Sequence, residues 1–126
     1  MIVNGKKKVL IVDDEPDILK SVVFRVKKAG YDTLEASDGE TCIDIARAKS
    51  PDLVLLDWRL PGKNGGEVYK ELKAHEGTKD IPVIILTASR ETENLDVKLK
   101  DIGIENVIIK PYEPSELIQK IKDLIG

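Results

Sequence analysis

What most limits the folds open to this chain is a set of short apolar runs with no polar residue inside them. They are Val9-Leu10-Ile11-Val12, Leu53-Val54-Leu55-Leu56, Pro82-Val83-Ile84-Ile85-Leu86 and Val107-Ile108-Ile109. A strand with one wet face alternates apolar and polar residues, whereas a strand buried on both faces does not. Each run is strand-sized and bounded by polar or turn-forming residues, so each reads as a strand covered on both sides. The segments between the runs supply the covering layers. Pro16 stands where a first helical residue tolerates it, Ile18, Leu19, Val22, Val23 and Val26 recur at helical spacing, and Gly30 supplies the stop. Residues 31–36 read as a weaker strand. Ser37-Asp38-Gly39-Glu40 then starts a helix that turns Cys42, Ile43, Ile45 and Ala46 inward until Ser50-Pro51 breaks it. Val68, Tyr69 and Leu72 mark a short third helix closed at residues 75–77. Leu95, Leu99 and Ile102 mark a fourth, ended by Gly103. Leu117, Ile118, Ile121, Leu124 and Ile125 build a fifth, with Pro114 in its first turn.

Strands alternating with helices at this spacing imply right-handed crossovers, and hence an α/β fold with a five-stranded parallel sheet and helices on both faces. No Gly/Pro/Ser-rich linker and no repeat beyond the βα unit interrupts the pattern. The expectation is one domain over residues 9–126, preceded by an N-terminal tail of residues 1–8. The single Cys42 excludes a disulfide framework and a thiolate metal site, which fits a reducing compartment. On an apolar helix stripe it reads as a small buried hydrophobe. The sequence carries no membrane-length apolar segment and no charged-then-apolar leader, so the expected location is cytoplasmic. Twenty basic against 23 acidic residues give a net charge of −3, which argues against a general nucleic-acid footprint. Lys6-Lys7-Lys8 reads as a solvated flank of the first strand, and His75 as a solvated helix terminus.

In an open parallel sheet every strand points its C-terminal end the same way, and ligands bind outside those ends. The residues arriving there are Asp13 and Asp14 after the first strand, Asp57 after the third, Thr87 after the fourth and Lys110 after the fifth. Any one of them suits a buried strand leaving into a polar loop. Jointly their chemistry is complementary. Three carboxylates repel one another unless a cation lies between them, and carboxylate oxygens suit a hard divalent ion such as Mg²⁺, which also keeps waters and phosphate oxygens. A lysine ammonium and a threonine hydroxyl suit phosphoryl oxygens. The constellation reads as a phosphoryl site with a metal.

Four stretches, Val12-Asp13-Asp14-Glu15, Leu55 through Asp57-Trp58-Arg59-Leu60-Pro61-Gly62-Lys63-Asn64-Gly65, Leu86-Thr87-Ala88 and Ile109-Lys110-Pro111, occur in this order and at these separations. Together they resemble the receiver domain of the two-component response-regulator family, over essentially the whole chain. The resemblance implies a flavodoxin-like sheet of order 2-1-3-4-5 and a phosphorylation-activated signalling switch rather than an enzyme. It implies that Asp57 accepts a phosphoryl group from a sensor histidine kinase or a histidine phosphotransfer protein. It also implies Mg²⁺ or Mn²⁺ held by Asp14 directly, by Asp13 mainly through water, by Asp57 and by the backbone carbonyl of Arg59. Lys110 would pair with a phosphoryl oxygen, and Thr87 would bond another once phosphorylation draws its hydroxyl inward. The Lys110-Pro111 bond would be cis. Only self-phosphorylation and slow autodephosphorylation would be expected as chemistry. The conformational shift would control a downstream protein through the fourth helix, fifth strand and fifth helix. No direct nucleic-acid or membrane binding is implied, and the state would be a monomer or a phosphorylation-dependent dimer.

The chain departs from the family in places. Val107 stands where relatives commonly carry a Tyr or Phe that changes rotamer with the Thr, a swing a β-branched valine cannot make. Lys63 replaces a frequent Met. Arg59 and Ser89 hold positions that flank the attacking water in relatives, so with Lys63 they are expected to tune the lifetime of the phosphorylated state; for Arg59 the alternative is a side chain lying in solvent. Val97, Val107 and Tyr112 are candidates for an apolar patch near the last two helices. Rival readings fare worse: a haloacid-dehalogenase-type phosphatase wants an acid where Arg59 stands, and a flavodoxin-like carrier wants a Gly/Ser/Thr-rich loop where Asp13-Asp14-Glu15 stands. A receiver that binds constitutively remains open through Val107. The chain ends after its fifth helix, which fits a stand-alone regulator or a receiver excised from a longer protein.

Overall fold

The computed structural model describes residues 6–88 and 95–126, with side chains from residue 99 onward in the second stretch. Ser89 and the Leu95 and Val97 side chains lie outside the described residues. The elements run β1 (Lys8–Val12), α1 (Pro16–Lys28), β2 (Asp32–Ala36), α2 (Gly39–Lys49), β3 (Leu53–Asp57), α3 (Gly65–Ala74), β4 (Val83–Thr87), α4 (Leu95–Ile102), β5 (Val107–Ile109) and α5 (Pro114–Ile125). The five strands form one sheet in the order β2-β1-β3-β4-β5, all pairs parallel.

The unbroken apolar runs follow from this arrangement. Successive side chains on a strand point to opposite faces, and here both faces are cores. Leu10, Val12, Val54, Leu56, Val83 and Ile85 join Cys42, Ile43, Ala46, Val68, Leu72 and Leu99 on the side of α2, α3 and α4. Val9, Ile11, Leu53, Leu55, Ile84, Leu86 and Ile108 join Val22, Val23, Val26, Leu117 and Ile121 on the side of α1 and α5. Cys42 is fully buried, and burial together with the Asp38 charge pushes its thiol up to about 12, so it is a core residue.

Local chemistry sets the helix ends. Pro16 and Pro114 open α1 and α5. Asp38 caps α2 by accepting from the Thr41 N–H, and Asn64 caps α3 in a reciprocal box with Glu67. Beyond α3 the chain is turned by buried Thr78, whose hydroxyl donates to the Leu72 carbonyl at 2.5 Å, a closure that His75 and Gly77 do not reveal in the sequence.

Three sequence expectations change. Ile18 keeps the helical spacing of α1 but is 36% exposed, because it sits at the sheet edge beyond the reach of the core. Val107 and Tyr112 form no common patch: Val107 packs on the α2/α3/α4 side and Tyr112 on the α1/α5 side, and the exposed apolar residue of β5 is Ile109. The Lys6-Lys7-Lys8 run is more than a solvated flank. Lys7 Nζ donates to the Ile125 carbonyl, Lys8 Nζ donates to the Lys49 carbonyl, and the Lys8 N–H donates to Asp52 Oδ2.

The double-sided core predicts a sharp contrast in chemical denaturation. Leu55→Ala, at a fully buried position, should cost about 2–5 kcal/mol. Phe24→Ala, at the most exposed of the large apolar residues described, should stay within about 0.5 kcal/mol of wild type.

Candidate functional site

The C-terminal edge of the sheet carries a cleft of about 690 Å³, walled by Asp14, Glu15, Ile18, Asp57, Trp58, Arg59, Leu60, Pro61, Asn64, Ala88 and Lys110. Asp57 is the last residue of β3, and it shares that strand's alternation with Leu53 and Leu55, which face α1 and α5. Asp13 follows Val9 and Ile11 in the same phase on β1. Lys110 follows Ile108 on β5. Strand phase therefore aims an acid, an acid and an ammonium at one place.

They meet there. Asp13, Asp14 and Asp57 each offer a carboxylate oxygen within 4.8 Å of the others. Lys110 Nζ lies 3.2 Å from Asp57 Oδ1, and the Arg59 N–H donates weakly to the same oxygen at 3.4 Å. Asp13 Oδ1 accepts the Glu15 N–H at 2.9 Å, which fixes its carboxylate at the loop start. Asp13 and Asp57 are buried, while Asp14 is exposed to the cleft. Burial is the largest influence on the Asp57 carboxyl and lifts it above the ordinary range; the Lys110 charge lowers it, the Asp13 charge raises it again, and the Lys110 and Arg59 hydrogen bonds pull it down without cancelling the rise. Burial, with the Asp13 charge next, also lifts the Tyr112 hydroxyl on the α1/α5 side.

Thr87 behaves differently. It ends β4, is buried, and its carbonyl accepts the Lys110 N–H at 2.8 Å. Its strand phase is that of Val83 and Ile85, the face opposite Asp57, and it pairs with Ile109 across the ladder. Its neighbour Ala88, rather than Thr87, walls the cleft. The Lys110-Pro111 bond is cis.

The loop after β3 is pinned at its base. The Trp58 N–H extends the ladder to the Leu86 carbonyl at 2.9 Å, and the Trp58 carbonyl accepts the Gly65 N–H at 2.7 Å. A Cβ at Gly65 would lie 2.7 Å from the Asp57 carbonyl oxygen, so only glycine lets α3 start this close beneath the acid. Lys63 does not wall the cleft. Its Nζ lies 2.6 Å from Glu40 Oε1 and also pairs with Glu71, and those two partners hold its ammonium well above the usual lysine range. The Arg59 side chain is exposed yet engaged.

A model of the response regulator receiver domain matches residues 9–122. The chain belongs to the response regulator receiver family. Receiver domains are the phosphorylation-activated switches of two-component signalling, served by histidine kinases, and this one is a signalling domain of that class. It is 40% identical over 119 residues to the phosphate regulon transcriptional regulatory protein PhoB of Pseudomonas aeruginosa, covering 94% of this chain and 52% of that protein. It is 33% identical over 117 residues to the DNA-binding response regulator MtrA of Mycolicibacterium smegmatis, covering 93% of this chain and 50% of MtrA. The chain thus spans about half the length of these curated relatives. Among solved structures it superposes on the chemotaxis response regulator CheY4 of Vibrio cholerae with a TM-score of 0.86 at 26% identity, over 95% of this chain and 99% of that one. It also superposes on the receiver domain of sensor histidine kinase PA1611 from Pseudomonas aeruginosa, with a TM-score of 0.87 at 26% identity over 98% and 99% of the two chains; that structure has a magnesium ion coordinated in its active-site cleft.

The donor set of this receiver fits a hard divalent cation, since three carboxylates of which two are buried carry negative charge that Lys110 only partly offsets. Among the described residues no helix is long and apolar enough to cross a membrane. Sequence reasoning missed Ile18 as a cleft wall and the Lys63 contacts. The first keeps a core-like helical spacing, and the second depends on how α2 comes to rest against α3.

Because the raised Asp57 carboxyl favours the neutral acid in the fold, its stabilising share is full below the ordinary aspartate range and lost as pH rises through the raised value. At pH 7 without metal the ionised group therefore costs stability, and Asp57→Asn should unfold at higher urea than wild type. That advantage should shrink as pH falls through the aspartate range. Mg²⁺ at a hundred times its dissociation constant should add about 2.7 kcal/mol to wild type, and less to the variant.

Proposed function

We propose that Asp57 is the phosphoacceptor of this receiver. The observation that carries the reading is the Asp57 carboxylate held at 3.2 Å by Lys110 inside the three-acid cluster. With Oδ1 engaged by Lys110 and the Arg59 N–H, the second oxygen is the one to attack the phosphorus of a phosphohistidine on a sensor kinase or phosphotransfer protein. An O–P bond forms as the P–N bond breaks, and the electron pair leaves on the imidazole nitrogen. A divalent ion, Mg²⁺ or Mn²⁺, held by Asp13, Asp14, Asp57 and the Arg59 backbone carbonyl, supplies charge neutralisation. Lys110 then follows a phosphoryl oxygen, and the Trp58, Arg59 and Ala88 amides serve as donors, so the protein contributes position and charge rather than covalent chemistry of its own.

Thr87 lies one strand over, on the face opposite Asp57. In this reading its hydroxyl moves toward the phosphoryl group and shifts the β4 end, and β5 and α4 respond through Val107 and the exposed Ile109 beside it. The switching unit is residues 9–126, with 1–8 as a flank, acting in the cytoplasm on a protein target through α4, β5 and α5, as a monomer or a phosphorylation-dependent dimer. It binds neither nucleic acid nor membrane itself, and its only turnover is slow loss of its own phosphoryl group. A second reading, a receiver that binds its target constitutively, draws on Val107, which packs against the core where a rotating aromatic would stand.

Incubation with a small acyl-phosphate donor and Mg²⁺ should add one phosphoryl group to the intact mass and change the fluorescence of Trp58, which walls the cleft. Asp57→Asn should abolish the gain, and Lys110→Ala should slow it on the order of a hundredfold. An unchanged mass would leave the constitutive binding module, and sustained hydrolysis of many phosphate esters would favour a phosphatase.

A further inference from the structure

The loop over residues 58–64 forms one wall of the cleft and donates the Arg59 N–H to Asp57 Oδ1. Its base is closed by the bond between Trp58 and Gly65, and its end by the Asn64 cap on α3. Leu60 packs against the α2/α3/α4 core, and a further fixed point is Lys63, whose ammonium is shared between Glu40 in the first turn of α2 and Glu71 on α3. Backbone packing supports the same junction. A Cβ added at Gly39 would lie 2.6 Å from Val68 Cγ2 and 3.3 Å from Lys63 Cβ, so a missing side chain lets the start of α2 close directly onto the loop and α3. The pairing ties the loop and the following α3 to the distant start of α2, and none of its members walls the cleft.

We infer that Lys63 is a positioning residue for the metal-assisted chemistry: tied between α2 and α3, it holds the loop so that the Arg59 backbone and the cleft wall stay on the Asp57 carboxylate. It acts through the loop and touches neither the acids nor the phosphoryl group. The inference rests on the proposed function of the cleft and has a distinctive sign. Charge alone makes the opposite prediction, because removing an ammonium from the neighbourhood of a cation site strengthens cation binding. Loss of positioning weakens it.

The test is Lys63→Met in the full chain, a change that keeps a long side chain at a partly exposed position. Amide hydrogen exchange should show residues 59–64 exchanging faster while β1 and β3 keep wild-type protection, which establishes that the fold is intact. Mg²⁺ affinity, read from Trp58 fluorescence, should fall about threefold to tenfold, the size expected for a coupled network of contacts. Lys63→Arg should restore both readouts. Adding Glu40→Gln and Glu71→Gln to Lys63→Met should cause no further loosening, because the contact they would break is already gone. Exchange at 59–64 that matches wild type, or Mg²⁺ binding as tight as wild type or tighter, overturns the inference. If wild type itself shows no Mg²⁺ response, the metal site fails and the inference falls with it; a wild type that responds beside an equally responsive Lys63→Met sinks the inference alone.

Discussion

Placing the Asp57 carboxylate at the buried end of β3, next to a second buried acid, is electrostatically unfavourable, and much of the sheet edge is arranged around managing it. Burial and the Asp13 charge oppose ionisation, while Lys110 and the Arg59 N–H favour it without winning. A site left in that balance suits a bound cation. The surroundings keep the balance in place. The Lys110 N–H bond to the Thr87 carbonyl, the Gly65 approach beneath Asp57 and the ladder bond from Trp58 to Leu86 each fix one neighbour of the acid.

The fold provides this edge by the same rule that makes it readable. A parallel sheet buried on both sides forces its inner strands to be apolar throughout, so polar residues are pushed to the strand ends, and parallel strands gather those ends on one side. Strand phase then divides them. Asp13, Asp57 and Lys110 leave on the α1/α5 phase and meet, whereas Thr87 leaves on the other phase beside Ile109. That division separates the acid cluster with Lys110 from the exposed Ile109 side of β5, with Thr87 at the boundary.

Much of this was legible in the sequence because the dominant signals are local. The solid runs at 9–12, 53–56, 82–86 and 107–109 locate four strands, and the residues that follow them are the acids, Thr87 and Lys110. Ser50-Pro51, Gly30 and Pro114 marked helix limits within a residue or two. Other features depend on packing between distant segments. Ile18 keeps perfect helical spacing and still emerges at the rim, since spacing says which side of a helix is apolar but not where the sheet beneath it stops. Val107 and Tyr112 are five residues apart and end on opposite sides of the sheet. Lys63 read as a replacement within the site, and the structure gives it to Glu40 and Glu71 instead. Nothing in its local sequence signals those partners.

The central claim is that Asp57, among the three clustered acids, is the one that carries the phosphoryl group. The most direct measurement treats the protein with an acyl-phosphate donor and Mg²⁺, reduces the acyl phosphate with borohydride, and maps the product by peptide mass. The account predicts conversion of residue 57 alone to homoserine. Conversion at Asp13 or Asp14, or no conversion in protein that binds Mg²⁺, would contradict it.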